Sequence, residues 1–497
     1  MTTEKELQAP ADIPASQEPG STGPRSAVLA LKAQGRQPYK SRYDVTHTAS
    51  EARDLADGSP LAVAGRVVLL RPFGGLIFGH IQDRSGRVQF SLKKAELPRE
   101  QFSAFPRDVS IGDFVGLSGT MWTSNKGERT VGVQSYDVLS KAVRGMPDKW
   151  AGIADAETKQ RRRYLDLLTS EETRQRFALK ARMYAFIRTF LTSRGFLEVE
   201  TPILQPAASG ASARPFKTHH NALEHDFYLR ISPETYLKRL VAGSYERVFE
   251  LGRNFRNEGI DPSHLQEFSM LEWYAAYWDY RDNMRSIRDL IQGIVQDCCG
   301  TLKIQYHGLD LDFSGEWALV DYREAVAERT GIDLRAIREL DELKAAIGAR
   351  GLDIDYEKQV SYGGLVDLLY KRTVRPHLIQ PTFLLHHPVE LVPLARRSDE
   401  DPSRLDMFQV VVNSWEIVKA YSELIDPFDQ RARLEEQEAL RAAGDDESMM
   451  LEEDFLECME FGMPPMSGLG LGVDRLTALI TNSRTLRDVV LFPQMRW

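Results

Sequence analysis

Cysteine is scarce in this chain: 497 residues hold three, Cys298, Cys299 and Cys458. Two are adjacent and the third is distant. That excludes a disulfide framework and any metal-ligand spacing, and it fits reduced thiols in a cytoplasmic protein. No run of about 18 apolar residues exists, so no membrane span is expected. The N-terminal stretch lacks an apolar core segment, which excludes a secretory signal. It is rich in Pro, Ser, Glu and Gly, and a disordered tail is expected over 1–24. Internal repeats are missing, and so is an excess of positive charge. The net charge of −9 excludes a protein that coats nucleic acid indiscriminately.

What is present is ordinary for a globular chain able to bury a large core: 42% of residues are hydrophobic and 27% charged. The charge is uneven. Residues 1–150 carry 20 Lys and Arg against 16 Asp and Glu. A mildly basic N-terminal part on an acidic remainder suits local contact with a nucleic acid.

Along the chain, RSAVLALKAQG reads as a short helix ending at Gly35. Between Leu61 and Ser140 five β-rich runs follow (LAVAGRVVLL, LIFGHIQD, VQFSL, DFVGLSGTMWT and RTVGVQSYDVL), separated by turn signals such as Gly74-Gly75, Ser85-Gly86 and Asn125-Lys126-Gly127. Five strands in so short a stretch predict a small barrel, and the oligonucleotide-binding barrel has that size. A charged connector surrounds Lys159 to Arg163. Ser170 to Arg194 has helical periodicity and ends at Gly195. Beyond it, YLRIS, RVFELG, FSMLEWY and GLGLGV read as strands of one sheet, and FQVVVNS–WEIVKAYSEL as a hairpin turning near Asn413-Ser414. Helical patterns over Tyr322 to Thr330 and Leu340 to Ala349 are inserted in that sheet or packed beside it. The architecture predicted is α+β: tail 1–24, barrel domain with leading helix 25–150, linker 151–172, and a large domain 173–497 built on an antiparallel sheet with flanking helices.

Three stretches of the large domain stand out: GFLEVETPIL from Gly195, RVFELGRNFRNEGIDPSHLQEFSMLEWY from Arg247, and GLGLGVDRL from Gly468. In that order they resemble motifs one, two and three of the class II aminoacyl-tRNA synthetases. The flanking runs ARPFKTHHNAL, YLKRLVAG, YSEL, ECMEFGMPP and TNSRTLRDVVLFPQMR resemble the lysine branch of that family. The resemblance covers about Ala27 to Arg496, including the barrel.

The resemblance implies roles. Arg256 would bridge the α-phosphate of ATP and the substrate carboxylate, a task suited to a planar fork that donates to two oxygens. Phe268 would stack on adenine with Glu267 near its amino group. Glu258 joins the ATP set, His264 would touch the outer phosphates, and Arg475 would lie over adenine and at the γ-phosphate. Gly468, Gly470 and Gly472 would let backbone approach the nucleotide. Glu416 is the expected Mg²⁺ ligand, with Gln409 beside it. A buried lysine substrate needs anions. Glu423 would pair with its ε-ammonium with Tyr274 in support, while Glu234, Glu272, Tyr421 and Gly210 complete the pocket. In the barrel, Arg66, Phe78, Gln89 and Glu128, with His80, match positions that read an anticodon.

The chain departs from the family pattern at several of these places. Ser263-His264-Leu265-Gln266 stands for Arg-His-Asn-Pro, which removes a cation. Gln409 stands for a metal-binding glutamate, which should weaken one Mg²⁺ site. Lys419 stands for an asparagine, either to bind the substrate carboxylate or to pair with Glu416 or Glu423. The implied activity is activation of L-lysine with ATP and Mg²⁺ and transfer to tRNA(Lys), in a cytoplasmic homodimer with Pro202 at the subunit interface. The alternatives are lysyl transfer to a protein such as an elongation factor, and a catalytically impaired tRNA-binding paralogue.

Overall fold

A computed structural model describes residues 24–146, 155–259, 261–444 and 447–496. Apart from Pro24, the segment expected to be a tail lies outside the described residues. The chain divides into two units, one ending at Ala154 and one spanning Asp155–Arg496.

The first unit is a closed five-stranded barrel. Its strands are Pro60–Phe73, Leu76–Asp83, Gly86–Lys93, Phe114–Thr123 and Arg129–Ser140, and the first pairs with both the second and the fourth to close the cylinder. Alternation drives it: Leu61, Val63, Val67, Ile77, Ile81, Val88, Phe90 and Leu117 point inward and are buried. A helix over Arg99–Asp108, which the sequence reading passed over, places Phe102 and Phe105 in this core, with Phe105 edge-on to Phe90 at 6.0 Å. Its internal Pro106 disguises it as a loop. The leading helix Pro24–Ala33 ends ahead of Gly35, whose φ is +69°.

The second unit is built on an eight-stranded sheet in the order Ala318–Asp321, Thr382–Leu385, Met407–Val412, Trp415–Ser422, Met466–Gly472, Glu267–Ala276, Arg247–Phe255, Leu197–Glu198. Pairing is antiparallel except at the two edges, where Ala318–Asp321 and Leu197–Glu198 run parallel to their neighbours. One face is apolar. Phe249, Leu271, Trp273, Phe408, Val410, Val418, Leu469 and Leu471 are buried there against helices Glu171–Thr192, Tyr280–Cys299 and Val473–Ile480. Each such side chain contributes roughly 1.5–3 kcal/mol. The turn at Asn413 (φ +48°) and Ser414 (φ +63°) has both central residues left-handed, the geometry that matches strand twist in a two-residue hairpin. Between Asp321 and Thr382 three helices, Tyr322–Thr330, Leu340–Ala349 and Tyr362–Thr373, close a satellite core of their own.

The linker expected over 151–172 is corrected from Asp155 onward. Two short helices, Ala156–Arg161 and Arg163–Thr169, belong to the second unit. The buried Arg163 guanidinium donates to Asp166 at 2.8 Å and to the carbonyls of Arg487 at 2.9 Å and Leu491 at 3.1 Å. A charged run that looks like connector is thus pinned by carbonyls near the C-terminus, a partner no local pattern reveals.

Candidate active site

The face of the sheet opposite the apolar core carries the polar residues, and strand register brings them together. Across five neighbouring strands Gln409 faces Lys419, Lys419 faces Gly470, Gly470 faces Glu272, and Glu272 faces Glu250. The adjacent row holds Tyr421, Gly468 and Tyr274. One bulge matters. Val410 pairs with Val418 but Val411 pairs with Glu416, so Ile417 is the extra residue. Three positions of plain alternation would put Glu416 and Lys419 on opposite faces; the bulge restores them to one.

At one end of this face lie the expected nucleotide residues. Arg256 follows the strand Arg247–Phe255, and its guanidinium carbon sits 5.1 Å from the centre of the Phe268 ring. Its Nε has no hydrogen-bond partner. Arg475, in the first turn of helix Val473–Ile480, donates to the Glu416 carbonyl at 2.5 Å. Burial, then the like charges of Arg256 and Arg375, push the Arg475 pKa down, while Glu416 and Glu258 oppose them. These five charged groups therefore feel one another across one region. Arg375, in the 3-10 turn Arg375–His377, was not foreseen, since an isolated arginine after a helix carries no signal. The frame is tied by Asp474, which accepts from the Ser269 backbone N–H at 2.7 Å and pairs with the buried Lys180 at 2.5 Å, joining the second and third motif stretches to the helix before the first.

Glu416 accepts a hydrogen bond from Gln409 Nε2 at 2.5 Å, while Gln409 Oε1 is buried without a partner. Among the described residues no group of three His, Cys, Asp or Glu side chains is disposed to hold a metal ion alone. Glu416 and the Gln409 carbonyl together still offer two oxygen donors, enough for one Mg²⁺ that shares its shell with phosphates and water. Lys419 forms no ion pair with Glu416 or Glu423, and Glu423 is instead paired with Lys238.

The other end of the face is a buried acidic pocket. Lys238, completely buried on helix Glu234–Ala242, lies 2.6 Å from Glu234 one turn away and 2.5 Å from Glu423. Burial pulls the Lys238 pKa down, but Glu234 and Glu423 outweigh it and the pKa is raised. The Tyr421 hydroxyl donates to Glu234 at 2.7 Å. Glu272 accepts from Ser232 at 2.9 Å and from the Tyr274 hydroxyl at 3.3 Å. Burial first, and then the Glu234 charge, push Glu272 up to about 8, against Ser232, Arg256 and Arg230. Burial likewise raises Glu423, with Lys238 opposing. Tyr274 and Glu423 meet over Gly468, where a Cβ would overlap both, so glycine is required there. Gly470 differs: a Cβ there would make only ordinary contacts, the nearest with Met270 Sδ at 3.6 Å, so the sheet floor between Lys419 and Glu272 carries no side chain of its own. Gly210 (φ +84°) closes over Ser232 and Glu234. Lys238 was legible within YLKRL, one helical turn after Glu234, but it carries a meaning only once Glu423 is brought to it.

Two expected residues stand apart. The His264 ring turns to Asp261 at 2.7 Å and Ser263 at 3.2 Å on an exposed loop. Glu267 faces Arg253 at 3.7 Å, and strand alternation puts it on the other side from Phe268.

In the barrel, His80, Gln89 and Glu128 form one network on the outer surface. The His80 ring nitrogen lies 2.8 Å from Glu128, Gln89 donates to Glu128 at 2.6 Å, and Thr130 donates to Gln89 at 2.7 Å. Phe78 and His80 share one side of their strand, and Trp122 donates to Ser91, the partner of Phe78, at 3.2 Å. Arg66 donates to the Gly112 carbonyl at 2.9 Å and stacks 4.3 Å from the Phe114 ring centre.

Comparison with known proteins agrees with both halves. Residues 155–496 match the model of class II tRNA synthetases (D, K and N), and residues 61–139 match that of the OB-fold nucleic acid binding domain. Among curated proteins, the lysine–tRNA ligase of Pelotomaculum thermopropionicum is 42% identical over 95% of this chain and 94% of its own length. That of Roseiflexus castenholzii is 45% identical over 94% and 96%, and that of Chloroflexus aurantiacus 43% over 95% and 97%.

Proposed function

This chain belongs to the class II tRNA synthetases, in the branch of the lysine–tRNA ligases, and from that premise we propose that it activates L-lysine with ATP and transfers the lysyl group to tRNA. The observation that carries the reading is the junction of an arginine-lined nucleotide end (Arg256, Phe268, Arg475) with a buried acidic pocket (Glu234, Glu272, Glu423) on one sheet face.

Adenine stacks on Phe268, and Arg256 reaches both the α-phosphate and the lysine carboxylate. Arg475, with Glu258 near it, stands by the nucleotide, while the side chains of His264 and Glu267 turn to Asp261 and Arg253. The α-ammonium of lysine meets Glu272 and Glu234, and the ε-ammonium meets Glu423, with Tyr274, Tyr421 and Gly210 shaping the walls. The lysine carboxylate attacks the α-phosphorus and pyrophosphate leaves. A terminal ribose hydroxyl of tRNA then attacks the carbonyl and AMP leaves. No side chain acts as a nucleophile; the residues position and offset charge. Glu416 and Gln409 would hold Mg²⁺, which would supply further charge offset at the phosphates.

The barrel, with Phe78 as a stacking ring and Gln89, Glu128, His80 and Arg66 around it, reads the anticodon. Its presence supports tRNA as acceptor over a protein, and full-length alignment to tRNA ligases supports an active enzyme over an impaired paralogue. The exposed Leu197, Ile203 and Leu204 flank Pro202 beside the sheet edge, and this apolar edge supports a homodimer. No helix among the described residues is long and apolar enough to cross a membrane; the family and the unpaired thiols support a cytoplasmic location. ATP–pyrophosphate exchange with each amino acid in turn tests the reading. Exchange with lysine is expected, and its absence overturns the substrate assignment.

A further inference from the structure

We propose that the Lys419 ammonium is a fixed counter-ion for the reacting phosphate and carboxylate oxygens, taking the place of a second divalent cation, so that the nucleotide is held with a single Mg²⁺. This rests on the nucleotide end of the cleft proposed above.

Three observations converge on it. Lys419 lies on the site face with no ion-pair partner among the described residues, although it is half-buried. Its cross-strand neighbours are the neutral amide of Gln409 and the bare Gly470, so neither of them neutralises it and no side chain rises from the floor at the strand position beside it. A cation withdrawn from water without a partner is costly, and the arrangement is stable when an anion occupies that floor. Second, Gln409 ties its amide to Glu416 at 2.5 Å. Two carboxylates at these positions would repel and demand a cation between them; an amide and a carboxylate bond directly, which removes one charged ligand and leaves room for one ion at most. Third, the charges sum in a telling way. Arg256, Arg375 and Arg475 act together against Glu258 and Glu416, and Lys419 on the face of Glu416 brings the surplus to two positive groups. With one Mg²⁺ this balances the roughly four negative charges of ATP, and without Lys419 it does not. Lys419 is also the one of the four that projects from the floor between the nucleotide end and Glu272, where the lysine carboxylate and the α-phosphate come together.

The test measures binding of α,β-methylene-ATP by calorimetry, in EDTA and in saturating Mg²⁺, to wild type, K419M and K419R. Bound Mn²⁺ per nucleotide is counted by electron paramagnetic resonance for wild type and the double variant Q409E/K419M. Wild type and K419R should keep measurable affinity in EDTA, whereas K419M should lose about tenfold or more there and much less in Mg²⁺. The double variant should bind one more Mn²⁺ than wild type. Equal metal dependence of wild type and K419M, or equal Mn²⁺ counts, overturns the inference. If K419M does not fold, failure of wild type to bind the analogue in EDTA does the same. Absence of binding by every protein at every metal concentration defeats the nucleotide site itself, a result distinct from the others.

Discussion

The Lys238 ammonium lies 2.5 Å from the Glu423 carboxylate, both fully buried, on elements far apart in the chain. This pair, together with Glu234, holds the acidic pocket in shape before any substrate arrives. Lys238→Met leaves Glu423 and Glu234 without their resident cation. The variant should lose about 3–5 kcal/mol of unfolding free energy, read from denaturant midpoints. A loss under about 1 kcal/mol would show that the pair is not the pocket's keystone.

Glu272, with a pKa pushed up to about 8, keeps its proton in the empty pocket at neutral pH. A substrate ammonium needs the carboxylate, so lysine binding should expel that proton. Apparent lysine affinity should rise with pH and level off near 8. Calorimetry in buffers of different ionisation enthalpy should report proton release below that point and little above it. The same shift acts on stability. An acid whose folded pKa exceeds its unfolded value binds its proton more tightly when folded, so the ligand-free protein should lose stability as pH rises from about 4.5 to 8. Affinity that is flat over this range speaks against Glu272 as the ammonium partner.

Arg256→Ala should lower kcat/KM for ATP–pyrophosphate exchange by about 10²–10³-fold, since it removes a fixed donor aimed at developing charge. Phe268→Leu should act differently, raising the KM for ATP by about tenfold with a smaller change in kcat, because stacking serves ground and transition states alike. Equal kinetic profiles for the two variants would mean that the two residues do not have separate tasks.

Gly468→Ala places a methyl group inside the Tyr274 ring and the Glu423 carboxylate. Lysine binding should fall below detection in this variant. Gly470→Ala meets only ordinary contacts, and should spare the fold while obstructing ligands on the floor. A Gly468→Ala protein that binds lysine normally would contradict the packing of Tyr274 against Glu423.

In the barrel, Phe78→Leu should raise the KM for tRNA by about tenfold, since loss of one stacked base contact costs about 1–3 kcal/mol, and Glu128→Ala, which releases His80 and Gln89, should raise it as well. The effect should be confined to the tRNA-dependent step. An unchanged KM for tRNA in both variants would remove this surface from anticodon reading.

The residues themselves carry much of this molecule. Alternating β-branched runs between glycine turns determine the barrel and the Asn413-Ser414 pair determines its hairpin, because periodicity and turn chemistry act over a few neighbouring positions, whereas the proposed nucleotide residues rest on the resemblance of the three motif stretches to a known family. What the linear order leaves open is set by register and burial. The Ile417 bulge decides that Glu416 shares a face with Lys419, Lys238 becomes a pocket residue only when Glu423 arrives from a distant strand, and Arg163 becomes structural only when the C-terminal carbonyls reach it. The charge state of Glu272 likewise follows from desolvation and from Glu234 beside it. Those effects depend on which groups are withdrawn from water together, and that is a property of the folded chain alone.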